Sequence, residues 1–164
     1  MESVFNVCAY FINNSIRERK YIGNISIQKM LYFAQGFYLA ENKGSVLFAD
    51  KIYAWKYGPV VNSVYHELKV FGNNYITDLE QNSSYTNTHL FNENEISPEG
   101  RFFLKGIWDS LKDYQPFKLV EMTHANGSPW FSIYETYEGN IPPNIEIPIK
   151  DMYKYFTEKL VVSD

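Results

Sequence analysis

Apolar residues recur at intervals of three and four along most of this chain, which predicts a succession of helices. Within residues 2–14, Val4, Cys8, Phe11 and Ile12, with Phe5 and Val7 beside them, form one face and predict a first helix. Gly23-Asn24 breaks the pattern. Ser26 stands where it can cap a second helix, in which Ile27, Met30, Leu31, Ala34, Phe37 and Tyr38 keep helical spacing while Phe33 and Leu39 broaden the stripe. That helix should be buried on most sides and stop near Lys43-Gly44. Leu47 to Trp55 is short and aromatic and reads as an extended or irregular connection.

Gly58-Pro59 reads as a helix start, because proline presets the helical φ and lacks an N–H that the first turn leaves unpaired anyway. A helix from Pro59 places Val60, Val61, Val64, Tyr65, Leu68 and Phe71 on one face, with Gly72 stopping it. From Asn73 to Glu95 the chain turns polar, with Gln81-Asn82-Ser83-Ser84 and Asn92-Glu93-Asn94-Glu95 around brief apolar returns, and reads as a surface loop or short hairpin. Ser97-Pro98 then caps and opens a helix carrying Phe103, Leu104, Ile107, Trp108, Leu111 and Tyr114. Pro116 opens another, and Pro129-Trp130 a third. Pro142-Pro143 bars further helix, Ile145, Ile147 and Ile149 alternate as in a brief strand, and Asp151 precedes a C-terminal helix with Met152, Tyr153, Phe156 and Leu160. The sum is a mainly α fold. It is a compact helical bundle in a single domain over residues 1–164, with a minor β component around residues 73–91 and 145–149.

Composition sharpens this picture. The chain has 164 residues, 45% of them hydrophobic and 18% aromatic, so one core suffices and disorder is excluded. No apolar run approaches the roughly 20 residues that span a bilayer, and the N-terminus lacks signal-peptide features. A cytoplasmic protein is the expectation. Cys8 is the single cysteine, placed at an apolar helical position, so neither an intrachain disulfide nor a cysteine zinc cluster can form.

A net charge of −4 and a pI near 5.4 disfavour a phosphate-binding surface, since nucleic-acid affinity rests on Lys and Arg contacts. The densest basic cluster, Arg17-Arg19-Lys20, is interrupted by Glu18 and reads as a solvated helix end. An acidic balance does suit docking on a basic partner. Phosphate-cradling, zinc-protease and nucleophile-elbow motifs are missing, and His66, His89 and His124 fall on different elements without ligand spacing, so no metal or cofactor is expected. His66 reads as solvated. His124 is the one histidine with a richer setting: it follows Thr123 and precedes a Gly-Ser-Pro-Trp turn that can bring Trp130 against its ring. A fold-defining corner is the leading reading for it, with an acid/base pair using Glu121 as the enzymatic alternative. Trp55 is expected in the core and Tyr57 at the surface.

Three blocks in order carry a family resemblance: Lys29-Met30-Leu31-Tyr32-Phe33-Ala34, then Ala54-Trp55-Lys56-Tyr57-Gly58-Pro59-Val60, then Thr123-His124 followed by Pro129-Trp130. Together they resemble the signature of the Panacea domain, an antitoxin domain found in phage-associated proteins. Met30 stands where that signature has leucine, and four residues, Ala125 to Ser128, separate His124 from Pro129 where it has three. The resemblance implies a non-enzymatic antitoxin that binds and neutralises a cognate protein toxin encoded by an adjacent gene. It also implies that Tyr32, Trp55, Tyr57, Gly58, Pro59, Tyr65, Thr123, His124, Pro129 and Trp130 form the motif or contact the partner. A nucleic-acid-binding regulator ranks last, because no basic stripe is present.

Overall fold

The computed structural model describes residues 1–79 and 90–163. Seven helices appear among them: α1 Val4–Arg17, α2 Asn24–Glu41, α3 Asn62–Leu68, α4 Pro98–Leu111, α5 Pro116–Thr123, α6 Pro129–Thr136 and α7 Ile149–Ser163. Two strands, β1 Ile52–Trp55 and β2 Gly58–Val61, form a hairpin, so the mainly α expectation stands. The proline-led helix starts fall where local chemistry set them. Ser97 Oγ accepts from the Gly100 N–H at 3.0 Å, Ser128 Oγ accepts from the Phe131 N–H at 3.2 Å, and α4, α5 and α6 each begin on proline.

Helix α2 is the axis of the molecule, touching α1, α3, α4, α5, α7 and β2. Its burial extends to polar side chains: Gln28, Lys29 and Gln35 are all enclosed. Each has a backbone partner, as burial in an apolar medium requires. Gln35 donates to the Phe48 carbonyl at 2.8 Å and accepts from the Leu47 N–H at 2.8 Å, pinning the connection that enters β1. Cys8 is fully buried in α1, where the apolar face placed it.

The helix predicted from Pro59 is corrected by this structure. Residues 58–61 are a strand, paired antiparallel as Ile52↔Val61, Tyr53↔Val60, Ala54↔Pro59 and Trp55↔Gly58, and the helix begins at Asn62. The reason lies far away in sequence. Ala54 N–H donates to the Ile145 carbonyl and Ile147 N–H to the Ile52 carbonyl, both at 2.8 Å, so β1 has a second neighbour on its other edge. Alternation along an antiparallel pair then turns the backbone groups of Pro59 and Val61 away from β1 and toward α2. There Gln28 Oε1 accepts from the Val61 N–H at 2.8 Å and Lys29 Nζ donates to the Pro59 carbonyl at 3.0 Å. Proline has no ladder bond to lose at such a position.

Three smaller expectations also change. Ser26 does not cap α2: the helix starts at Asn24 behind Gly23, and the Asn24 side chain is held by Gln28 Nε2 at 3.1 Å. The strand expected at 145–149 shrinks to an edge around the bridge Tyr53↔Glu146, because Pro148 accepts from the Met152 N–H and Ile149 opens α7. No strand forms at residues 73–79 or 90–91, where Ile76 instead turns inward and donates to the Ile22 carbonyl at 2.9 Å. Residues 81–84 and His89 lie outside the described residues.

Helix α7 closes the core against α2 through one close approach. Gly36 faces the Phe156 ring, and a Cβ at Gly36 would lie 2.2 Å from two of its carbons. Phe156 is ringed by Tyr32, Phe33, Phe37 and Tyr155 with centroids 4.9 to 6.2 Å away.

Candidate functional site

The three sequence blocks meet at one corner. The hairpin turn Lys56-Tyr57 is followed by Gly58 at φ +110, a conformation open to glycine and strained for side-chain-bearing residues. Space imposes a second demand there: a Cβ at Gly58 would lie 2.9 Å from Thr123 Oγ1 and 3.0 Å from Lys29 Cε. Thr123 ends α5 with its hydroxyl donating to the Val120 carbonyl at 2.7 Å. Ser128 Oγ donates to the Thr123 carbonyl at 3.1 Å while capping α6, which makes the four-residue link a fastened turn. Beyond it, the His124 ring lies parallel to the Trp130 indole at 3.7 Å and 3°, and Trp130 Nε1 donates to the Trp55 carbonyl at 2.7 Å. Helices α2, α5 and α6 thereby grip the hairpin by its backbone.

The electrostatics follow from burial. Lys29 is 2% exposed, and desolvation pushes its ammonium down from the usual lysine range to about 8. His124 is held below its ordinary value by burial and by the Lys29 charge, against a hydrogen bond to the Tyr57 backbone that acts the other way. Its Nε2 is buried with no hydrogen-bond partner, so protonation would add a donor with nothing to receive it. Glu121 stands 3.7 Å from Lys118 and is largely exposed, whereas His124 Nε2 is buried without a hydrogen-bond partner, so no hydrogen bond joins that nitrogen to Glu121.

Lys29 gives a pH prediction with a definite sign. A folded-state value of about 8 against 10.5 unfolded means the unfolded chain binds more protons between them, so stability rises with pH across that window. The whole effect is about 3 kcal/mol, of which about 1 kcal/mol falls between about pH 7 and about pH 9. Lys29→Met is expected to flatten this rise when urea denaturation of the two chains is compared over that range. Buried Cys8, Tyr10 and Tyr32 are pushed up and act in the opposite sense within the upper part of that window and above it, but they are common to both chains and cancel in the comparison. Equal slopes for wild type and variant would contradict the assignment.

The other motif residues are sorted by depth. Tyr32 lies in the core against Phe33 and Phe156, so it presents nothing to a partner. Gly58, Pro59, Thr123, Pro129 and Trp130 are buried at the corner. Trp55 is corrected from core to half-buried, its ring edge-on to half-buried Tyr65 at 4.8 Å because its carbonyl, not its indole, reaches inward. Tyr57 is 66% exposed at the hairpin tip, and His66 is exposed on α3. Sequence reasoning missed the tasks of Gln28, Lys29 and Ser128. A lysine and two glutamines inside the apolar run of α2 were the available signal, since polar groups buried on all sides need partners.

Among the described residues, no group of three or more His, Cys, Asp or Glu could hold a metal ion, and no helix is long and apolar enough to cross a membrane. Residues 27–131 match the family model described as antitoxin SocA-like, Panacea domain, a range that contains every residue of the corner. Antitoxin SocA of Caulobacter vibrioides (strain NA1000 / CB15N) is 28% identical over 146 residues, covering 87% of this chain and 76% of that protein. No solved structure matches the chain.

Proposed function

The chain belongs to the antitoxin SocA-like, Panacea domain family, and from that membership we propose that it neutralises a cognate protein toxin by binding it directly, in the cytoplasm, without chemistry of its own. The observation that carries this reading is the family match across all three blocks that meet at the corner. The corner's construction supports it. Lys29, Thr123, Ser128 and Trp130 each donate a side-chain hydrogen bond to a backbone carbonyl, and His124, the corner's histidine, has its Nε2 buried without a partner. Such an arrangement fixes a shape. The net charge of −4 adds complementarity toward a basic partner, which speeds encounter and discourages wrong partners.

The toxin in this reading is the product of an adjacent gene. Co-expression of the two is expected to restore growth that the neighbour alone arrests and to yield a complex that survives gel filtration. Growth arrest unrelieved by this chain, with no complex between the purified proteins, would refute the reading.

A further inference from the structure

Beside the corner, helices α2, α4 and α7, with Met122 of α5 and Ala125 of the link that follows it, border an open, mostly apolar groove of about 750 Å3 whose α7 wall also carries Lys159. On α2 its wall is Phe33, Phe37 and Glu41, and on α4 it includes Phe102, Gly106 and Ser110, each set at four-residue spacing and so in one row along its helix, with Phe103, Ile107 and Leu111 as a second row on α4. Each row spans about 12 Å, roughly two helical turns. Phe102 is 83% exposed at its edge, where an apolar ring gains nothing from water.

Gly106 is the feature that the isolated chain leaves unexplained. It sits in the middle of α4, where glycine is the poorest helix former after proline. No strained backbone angle requires it, and a Cβ built on it meets no atom within 4 Å. An absent side chain on a groove wall is useful when another backbone must come close. Glu41, exposed at the end of the α2 row, supplies a charge: the apolar surroundings push its carboxyl above the ordinary range, an unfavourable desolvation that a cation laid beside it would relieve.

We propose that this groove receives an amphipathic helix of the cognate toxin, whose apolar face lies on Phe33, Phe37 and Phe102, whose backbone passes closest at Gly106, and whose Lys or Arg meets Glu41. Helix-in-groove docking matches a trough lined by two helical rows. This inference rests on the direct-binding reading above and adds where on the surface the binding occurs.

The test uses the full chain and the purified product of the adjacent gene, titrated by calorimetry. Gly106→Leu and Ser110→Leu place side chains into open space, so both are expected to melt at or above the wild-type temperature. Both should weaken binding by at least about thirty-fold, the scale of an interface hot spot. Glu41→Lys should weaken it as well, with a smaller loss on Glu41→Gln. Wild-type affinity in both leucine variants at native melting temperature overturns the groove while leaving direct binding intact, as does a loss confined to Tyr57→Ala at the hairpin tip. Dimerisation of the wild type that Gly106→Leu abolishes, with toxin binding kept, assigns the groove to a second copy and also overturns the proposal. No binding by the wild type itself removes the parent reading and this one with it.

Discussion

Trp130→Ala is expected to destabilise the protein by about 3–5 kcal/mol, the range for truncating a buried indole. The ring is 2% exposed, stacked on His124 at 3.7 Å and on Tyr134 at 5.1 Å, so its removal leaves a cavity between helix α6 and the hairpin. The Trp55 carbonyl also loses its donor, an added cost of about 1–3 kcal/mol if it stays buried and less if water reaches it. Trp130→Phe keeps much of the stack and loses the hydrogen bond, so it should cost less. Urea denaturation gives the totals. Hydrogen exchange locates the damage: amides of the β1–β2 hairpin should speed up more than those of α1, because the lost contacts join α6 to β1. A loss below about 1 kcal/mol, well under any buried Trp truncation, would mean that the corner does not hold the hairpin.

Gly36→Ala is expected to destabilise by about 3 kcal/mol, the upper part of the overpacking range. Helix propensity alone gives the opposite sign, since alanine in a helix interior is favoured over glycine by about 0.5–1 kcal/mol. Packing decides the contest. The new methyl would sit 2.2 Å from two carbons of Phe156, and that ring cannot retreat because four aromatic neighbours surround it. Helix α7 must therefore shift away from α2 as a unit. Combining Gly36→Ala with Phe156→Leu should recover part of the loss in a double-mutant cycle, whereas additive losses would place the strain elsewhere.

How much of this was legible in the sequence follows from the range over which each decision is made. Ser97-Pro98, Pro116 and Pro129 announce helix starts by local chemistry, and the structure begins helices on all three prolines. The Gly58-Pro59 pair carries the same local message and is a strand. What overrides it is the carbonyl of Ile145, the side chains of Gln28 and Lys29, and the pairing with Ile52–Trp55, none of them visible in a window around Pro59. The His124–Trp130 stack was readable because only five residues separate the two rings and a turn joins them. Lys29 under Gly58 was not, although both residues belong to the three sequence blocks, since only the fold sets the helix of the first beneath the turn of the second. The groove is less legible still. Gly106 in a row of letters is merely a weak helix residue, and its openness exists only once α2 and α7 stand beside α4.

The pair of side chains reaching from α2 to β2 has a last consequence. With the Val61 N–H and the Pro59 carbonyl both occupied from within the molecule, the outer margin of the hairpin offers no template there on which a foreign chain could zip itself into register. Recruitment by β-augmentation, and the runaway stacking that leads to fibrils, are closed off at Pro59 and Val61. The hairpin is thereby kept from sticking to other chains through its backbone at this margin.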